Sequence, residues 1–351
     1  MKTFRLIGMA LVAMCLCMNF ASCSNEDVVA PEDPQEEKYV TVGLGCTGEF
    51  LKFSDSPLSR TTAEELYGIQ VYSLTERTSG DADGSETYYV ETPYAHGMFT
   101  SLEDVTIKLL QGQNYRFQVS IVIDPFKKGN DYWFYEYYND YYNVKGTEFT
   151  YSTTQTLELT WVNYNTGYDN QYDYDRYYGE LETYTPAENG NVDIYTKRVA
   201  YGVRYETTGL GADESITVEV TGGQYHSGYL YEVELTSEPN EGIYTFSCIW
   251  EAWKGKGVWN EMTGVTDYEN YSWEKKLTLS WNKADGEIIP MGTYAVTFKR
   301  NVKTTIKIKA ENLNMANGIR VFKEEVSMVD DENIYEIEGG TVTEVPVTSG
   351  N

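Results

Sequence analysis

The chain has 351 residues, room for about two domains, and sets 27 Lys+Arg against 54 Asp+Glu, a formal net charge of −27. That balance excludes a phosphate backbone, so no nucleic-acid partner is expected, and it argues against binding to an anionic membrane surface. An apolar fraction of 41% excludes wholesale disorder, two His leave no room for a His-rich metal site or relay, and 32 Tyr is an excess that needs a structural reason.

Residues 1–22 read as a lipoprotein signal peptide. Lys2 and Arg5 form a basic start, and Leu6 to Met18 is an apolar run of 13 residues, too short to span a bilayer and right for a signal core. Phe20-Ala21-Ser22-Cys23 resembles a bacterial lipobox, which implies cleavage before Cys23 and acylation of its sulfur and new amine. An ordinary secretory signal with an incidental Cys is the alternative. Two or more acyl chains hold a protein stably to a membrane, where one holds it only marginally. Cleavage removes Lys2 and Arg5, leaving 25 basic against 54 acidic residues and a net charge of −29. Residues 23–38 are acidic, carry two prolines and lack apolar periodicity, so they read as a solvated tether. Their start, Ser24-Asn25-Glu26-Asp27, resembles the acidic signal of lipoproteins moved to the outer face of the outer membrane.

From residue 39 onward the dominant period is two. Val40, Val42, Leu44 and Cys46 share one face of a first strand. Tyr115, Phe117, Val119, Ile121 and Ile123 alternate with Arg116, Gln118 and Ser120, and Val199, Tyr201, Val203 and Tyr205 repeat the pattern. So do Ile216, Val218 and Val220, then Tyr229 to Leu235, then Tyr294, Val296 and Phe298. Such alternation predicts half-buried strands, and turn clusters such as Gly222-Gly223 and Ala284-Asp285-Gly286 separate them. Residues 101–105 and 311–318 could each hold one helical turn. The pattern predicts an all-β chain of two tandem β-sandwich domains, 39–190 and 191–351, with the boundary in Pro186 to Asn191. A faint internal repeat pairs Gln113–Val119 with Gly242–Cys248 and Leu157–Trp161 with Leu277–Trp281; generic strand composition is the other explanation. Cys46 and Cys248 read as small core residues rather than a disulfide.

Two Tyr-rich stretches break the alternation, residues 131–142 and 164–184. Aromatics there occupy both strand faces and cannot all enter one core. Tyr132, Trp133, Tyr135, Tyr137, Tyr138, Tyr172, Tyr174, Tyr177 and Tyr178 are therefore candidate ligand-contact rings, in the manner of sugar platforms and paratopes. A self-packed hairpin or a subunit contact is the alternative. Asp169, Asp173 and Asp175 could crowd a Ca²⁺ ion, although Tyr174 stands where an EF-hand needs Gly. His96 and His226 sit beside glycines in apparent surface loops. No nucleophile elbow, P-loop, dinucleotide fingerprint or Cys-x-x-Cys is present, so neither an enzyme nor a cofactor or metal is expected.

Taken together, several segments resemble the fimbrillin family, the type V pilus subunits and their anchor or tip relatives. They are Cys23 with its acidic tether, the first strand Lys38–Gly45, Ser59-Arg60-Thr61-Thr62 leading into Leu66–Tyr72, Leu109–Phe117, Lys197–Ala200 and Phe298–Lys303. The resemblance implies two transthyretin-like or Ig-like sandwiches in a lipid-anchored outer-membrane surface protein, with other pilus subunits or surface proteins as partners and a host protein or glycan as a further one. It also implies assembly by strand exchange, with Arg60 as a candidate proteolytic processing site and Thr341–Val347 as a candidate donor strand; a plain loop Arg and an ordinary last strand are the alternatives. The Tyr-rich stretches depart from that pattern. A surface glycan-binding lipoprotein using those aromatic loops is the competing reading.

Overall fold

The computed structural model describes residues 37–49, 64–79, 87–125, 127–128, 131–132, 146–160, 174–221, 229–260, 265–310, 321–328 and 343–344. Strands dominate, as the period-two pattern predicts. The first ten are β1 (Tyr39–Gly48), β2 (Glu65–Thr78), β3 (Thr87–Phe99), β4 (Thr106–Leu110), β5 (Asn114–Ile123), β6 (Lys127–Lys128), β7 (Asp131–Tyr132), β8 (Thr150–Tyr151), β9 (Asp175–Tyr184) and β10 (Gly190–Arg198). Except for the small β6–β7 ladder they form one sheet in the order β4-β1-β10-β9-β5-β2-β3-β8. The sheet turns over on itself at β10, which lies parallel to β1 through Thr196 and pairs with β9 only through Lys197 and Arg198. Between its halves lies a core of Val42, Ile107 and Val192 from one side and Ile69, Phe117 and Val119 from the other. This is a sandwich closed through a shared strand.

The second sandwich follows from β11 (Ala200–Thr208), β12 (Ser215–Thr221), β13 (Tyr229–Leu235) and β14 (Asn240–Thr245). Next come a helix α1 (Ile249–Lys254), a hairpin of β15 (Lys256–Asn260) and β16 (Val265–Glu269), then β17 (Ser272–Asn282), β18 (Ile288–Lys299), β19 (Val302–Lys309), β20 (Val321–Ser327) and β21 (Thr343–Glu344). The sheets β14-β11-β19-β20-β21 and β13-β12-β17-β18 enclose a core that includes Tyr201, Val218, Leu279 and Phe298.

The two sandwiches repeat one topology. β4-β1-β10 and β9-β5-β2-β3 in the first correspond to β14-β11-β19 and β18-β17-β12-β13 in the second. In each, the first strand of the unit is antiparallel to its fourth, β4 or β14, and parallel to a later one, β10 or β19. The repeat is therefore present, but in a register other than the one suggested by sequence. Leu157–Trp161 and Leu277–Trp281 are not equivalent, because residues 157–160 form no strand, while Leu277–Trp281 lies in β17. The topological partner of β17 is β5. Leu157 and Leu159 share the generic apolar spacing because they too are buried, here as an extended cover on the second core.

Gly190–Arg198, on the far side of the boundary expected at residue 190, hydrogen-bonds within the first sheet. The chain passes between the sheets at Val199, whose N–H donates to the Arg176 carbonyl (2.8 Å) and whose carbonyl accepts from Phe246 (3.0 Å).

Four local expectations are corrected. β5 is buried on both faces, Gln118 and Ser120 included, because the 157–159 segment covers the second one and Leu157 N–H donates to Gln70 Oε1 (2.8 Å). His96 is a half-buried residue of β3 rather than a loop residue; His226 lies outside the described residues. The alternation of Tyr244, Phe246, Cys248 and Trp250 predicts one strand through Trp250, but β14 ends at Thr245 and α1 begins at Ile249. Residues 101–105 make turns without a helix, and 311–318 lie outside the described residues.

Candidate functional site: the groove that holds the first strand

β1 is first in sequence but lies between β4 and β10. Val42 sits opposite Ile107 on β4 and Gly190 on β10, and Leu44 opposite Val192. Val40, Val42 and Leu44 are buried, each worth roughly 1.5–3 kcal/mol when removed from water. The residues between them point away from the core and are small. A Cβ built on Gly43 would come within 2.3 Å of Asn191 Oδ1, and one on Gly45 within 2.2 Å of Asp193 Oδ1, so these glycines let the side chains of the parallel neighbour lean over the strand. Polar side chains hold the ladder ends: Thr41 N–H donates to Asn189 Oδ1 (2.8 Å) and Thr196 Oγ1 donates to the Thr47 carbonyl (2.9 Å). Burial, with Asp193 and Glu65 adding to it, pushes the Cys46 thiol up to about 12, so it is no nucleophile at physiological pH. Cys46 and Cys248 are both free.

Among the described residues, no further strand lies beside the outer edge of β4. Tyr94 Oη donates to the Lys108 carbonyl (2.6 Å), Tyr151 Oη accepts from Lys108 N–H (3.0 Å), and Tyr115 Oη accepts from Leu110 N–H (2.9 Å). The Tyr94 ring packs edge-on against Tyr115 and Tyr151, with centroids at 5.0 and 5.5 Å.

The far end of β1 runs into an ionic cluster between the two sandwiches. Glu49 Oε2 accepts from Arg198 N–H (2.8 Å) and from Arg300 Nη1 (2.7 Å), and Arg300 Nη1 also donates to the Arg198 carbonyl (2.9 Å). The Arg198 guanidinium grips Asp175 with two bonds, Nε to Oδ1 at 2.7 Å and Nη2 to Oδ2, and donates to the Met328 carbonyl (3.0 Å). Burial works against the Arg198 charge, but the Asp175 carboxylate outweighs it and holds the guanidinium above its ordinary value.

Of the residues singled out from sequence, Cys23, Arg60, Trp133, Tyr135, Tyr137, Tyr138 and Tyr172 lie outside the described residues, and Tyr132 is placed only as backbone of β7. Tyr174 is half-buried against the second core, with its carbonyl accepting from Thr245 Oγ1 (2.8 Å). Tyr177 and Tyr178, expected as ligand-contact rings, are core residues at 1% and 0% exposure. β9 is an interior strand covered on both faces. Tyr177 enters the first core, and Tyr178 the second, edge-on to Trp253 at 5.9 Å. Asp175, considered for Ca²⁺, is committed to Arg198, and no metal-ligating cluster occurs among the described residues. Sequence reading missed Tyr94, Tyr115, Tyr151 and Glu49 as site residues. The Tyr excess was the only pointer, since their partners are remote in sequence.

No family profile matches the chain, and no curated protein matches it. Among solved structures, a Bacteroides uniformis chain described as a cell adhesion protein aligns over 83% of this chain and 99% of its own at 12% identity and a TM-score of 0.35. The fimbrial anchor protein of Porphyromonas gingivalis aligns over 84% and 99% at 9% identity and a TM-score of 0.34. A Bacteroides thetaiotaomicron chain described as polysaccharide-binding aligns over 85% and 100% at 9% identity and a TM-score of 0.36. The chain is thus similar, over most of its length and at low identity, to solved proteins described as adhesion, fimbrial and polysaccharide-binding proteins.

Proposed function

We propose that the protein is a lipid-anchored cell-surface fimbrillin-like protein, a pilus subunit, anchor or tip adhesin that joins other pilus subunits by β-strand exchange. The observation that carries this reading is the place of β1, a terminal strand seated between two strands that come later in the chain. Extracting it would uncover a groove lined by Ile107, Leu109, Val192 and Ile194 and leave β4 and β10 with unpaired backbone, a site that another strand can fill. Arg60 falls in the connection between Gly48 and Glu65, so a cut there frees β1. The two cores are read as two domains that meet at Val199.

Digesting the full chain with an Arg-specific protease should cut after Arg60, leave the remainder folded and produce a ladder of higher-order species. A cut product that stays monomeric and stable would show that the strand is dispensable and count against assembly by exchange. The anchor is tested separately. Metabolic labelling with a fatty acid should mark the wild type and not Cys23→Ala, and equal labelling of the two would remove the lipid anchor.

A surface glycan-binding lipoprotein is the second reading. It keeps support from exposed Trp250 and Tyr268, whose rings flank the Lys254 ammonium at 4.8 and 5.3 Å, and loses Tyr177 and Tyr178 to the core.

A further inference from the structure

We infer that Tyr94, Tyr115 and Tyr151 form a clamp that holds the outer wall of the groove in place while β1 is absent. The inference rests on the reading that β1 is exchanged.

β4 is five residues long, and among the described residues its only neighbour in the sheet is β1. Removing β1 takes away every ladder partner from Thr106 to Leu110. A strand this short with no sheet partner does not hold its place, and Ile107 and Leu109, both fully buried, would be drawn into the space left by Val40, Val42 and Leu44. The groove would close before a replacement arrived.

The three hydroxyls oppose that closure. Lys108 sits opposite Thr41, yet its N–H and carbonyl are taken by Tyr151 and Tyr94, so both groups face away from β1. Leu110 N–H, two residues on, is taken by Tyr115. None of these bonds involves β1, so all three survive its departure. The tyrosines come from β3, β5 and β8, all in the opposite half of the folded sheet, so the hydroxyls tie the two halves together across their open side. Each ring has only two rotatable bonds and packs on its neighbours, which makes the clamp stiff. Burial raises the Tyr94 and Tyr115 hydroxyls above their ordinary values, so both stay protonated as bonding groups. The clamp also occupies backbone groups that would otherwise pair edge-to-edge with another molecule.

With β1 present, β4 is held twice, and losing the clamp changes little. With β1 gone, the clamp is what ties Thr106–Leu110 to the opposite half of the sheet, while the turn after it keeps its bond from Gly112 N–H to the Pro186 carbonyl (2.9 Å). Its loss should therefore appear in how well the emptied groove takes a strand.

The test uses the full chain with a specific protease site placed within residues 50–63, cut after folding. Uptake of a labelled synthetic peptide of residues 38–48 is then titrated. The double variant Tyr94→Phe/Tyr151→Phe should bind the peptide about tenfold more weakly than the wild type, since a wall that has lost two of its three clamping hydrogen bonds must be ordered again on binding. Tyr151→Phe alone, at a half-exposed ring, should lose less in the same direction. Tyr88→Phe, at an exposed ring of β3, should bind as the wild type does. Equal affinity in all four proteins would overturn the clamp and leave strand exchange standing. If the cut wild type takes up no peptide, strand exchange fails, and the clamp fails with it.

Discussion

Arg198→Ala is expected to lower the stability of the protein by about 3–5 kcal/mol at pH 7, the cost of leaving one member of a buried ion pair alone. The side chains of Arg198 and Asp175 are only 4% and 8% exposed, and their contact is two-pronged. The same guanidinium reaches the Met328 carbonyl, and its backbone binds Glu49 and Arg300. Asp175 without its partner would be a buried carboxylate with no guanidinium to compensate it. Arg198→Lys should recover only part of the loss, because an ammonium cannot reproduce the fork. Urea unfolding at pH 7 measures both the loss and its partial recovery. A loss below about 1 kcal/mol, the usual worth of an exposed pair, would show that the cluster does not join the sandwiches.

Lys275→Met is expected to act in the opposite direction and stabilise the protein by about 1–4 kcal/mol at or below pH 7. Lys275 lies on the core face of β17, beside buried Leu277 on that face and opposite buried Val296 of β18, and is 1% exposed. Its ammonium stands 4.2 Å from the Trp273 ring centroid and 5.7 Å from that of Tyr201. Burial pulls its pKa down from 10.5 to about 7. Above pH 7 the folded chain releases this proton while the unfolded chain keeps it up to about 10.5. Between those values the unfolded state binds more protons, so wild-type stability rises with pH; the full penalty is felt below pH 7. Methionine has no such titration, so its advantage should be greatest at pH 6 and fall away by pH 9. An advantage equal at the two pH values, or a destabilised variant, would mean that the buried ammonium is not the source of strain. The rings around it are then the better explanation, since cation–π contacts offset part of a desolvation cost.

The all-β character of the chain and the inward face of β1 were legible because alternation is a local property. Val40, Val42 and Leu44 are buried wherever the strand pairs, since neighbouring side chains on a strand always point to opposite faces. Period alone cannot tell a strand with one covered face from one with two. Gln118 and Ser120 on β5 were therefore read as solvent-facing, and Tyr177 and Tyr178 on β9 as surplus rings. Both strands are interior, and a third layer of chain, carrying Leu157 and Leu159, covers the second face. The internal repeat shows the same division. Its existence left a trace in composition, but its register is a matter of which strands pair, and β5 and β17 correspond through their neighbours rather than their residues.

By itself the sequence determined the strand content, the acidic surface, the Tyr excess and the apolar stripe of the first strand. Tertiary structure alone decided that β1 lies between β4 and β10, that Glu49 at its end meets Arg300 of the second sandwich, and that three tyrosine hydroxyls close the edge of β4. Each of these contacts joins residues far apart in the chain. Hydrogen-bonding groups carry no mark of their partner in the sequence, so only the closing of the sheet brings them together.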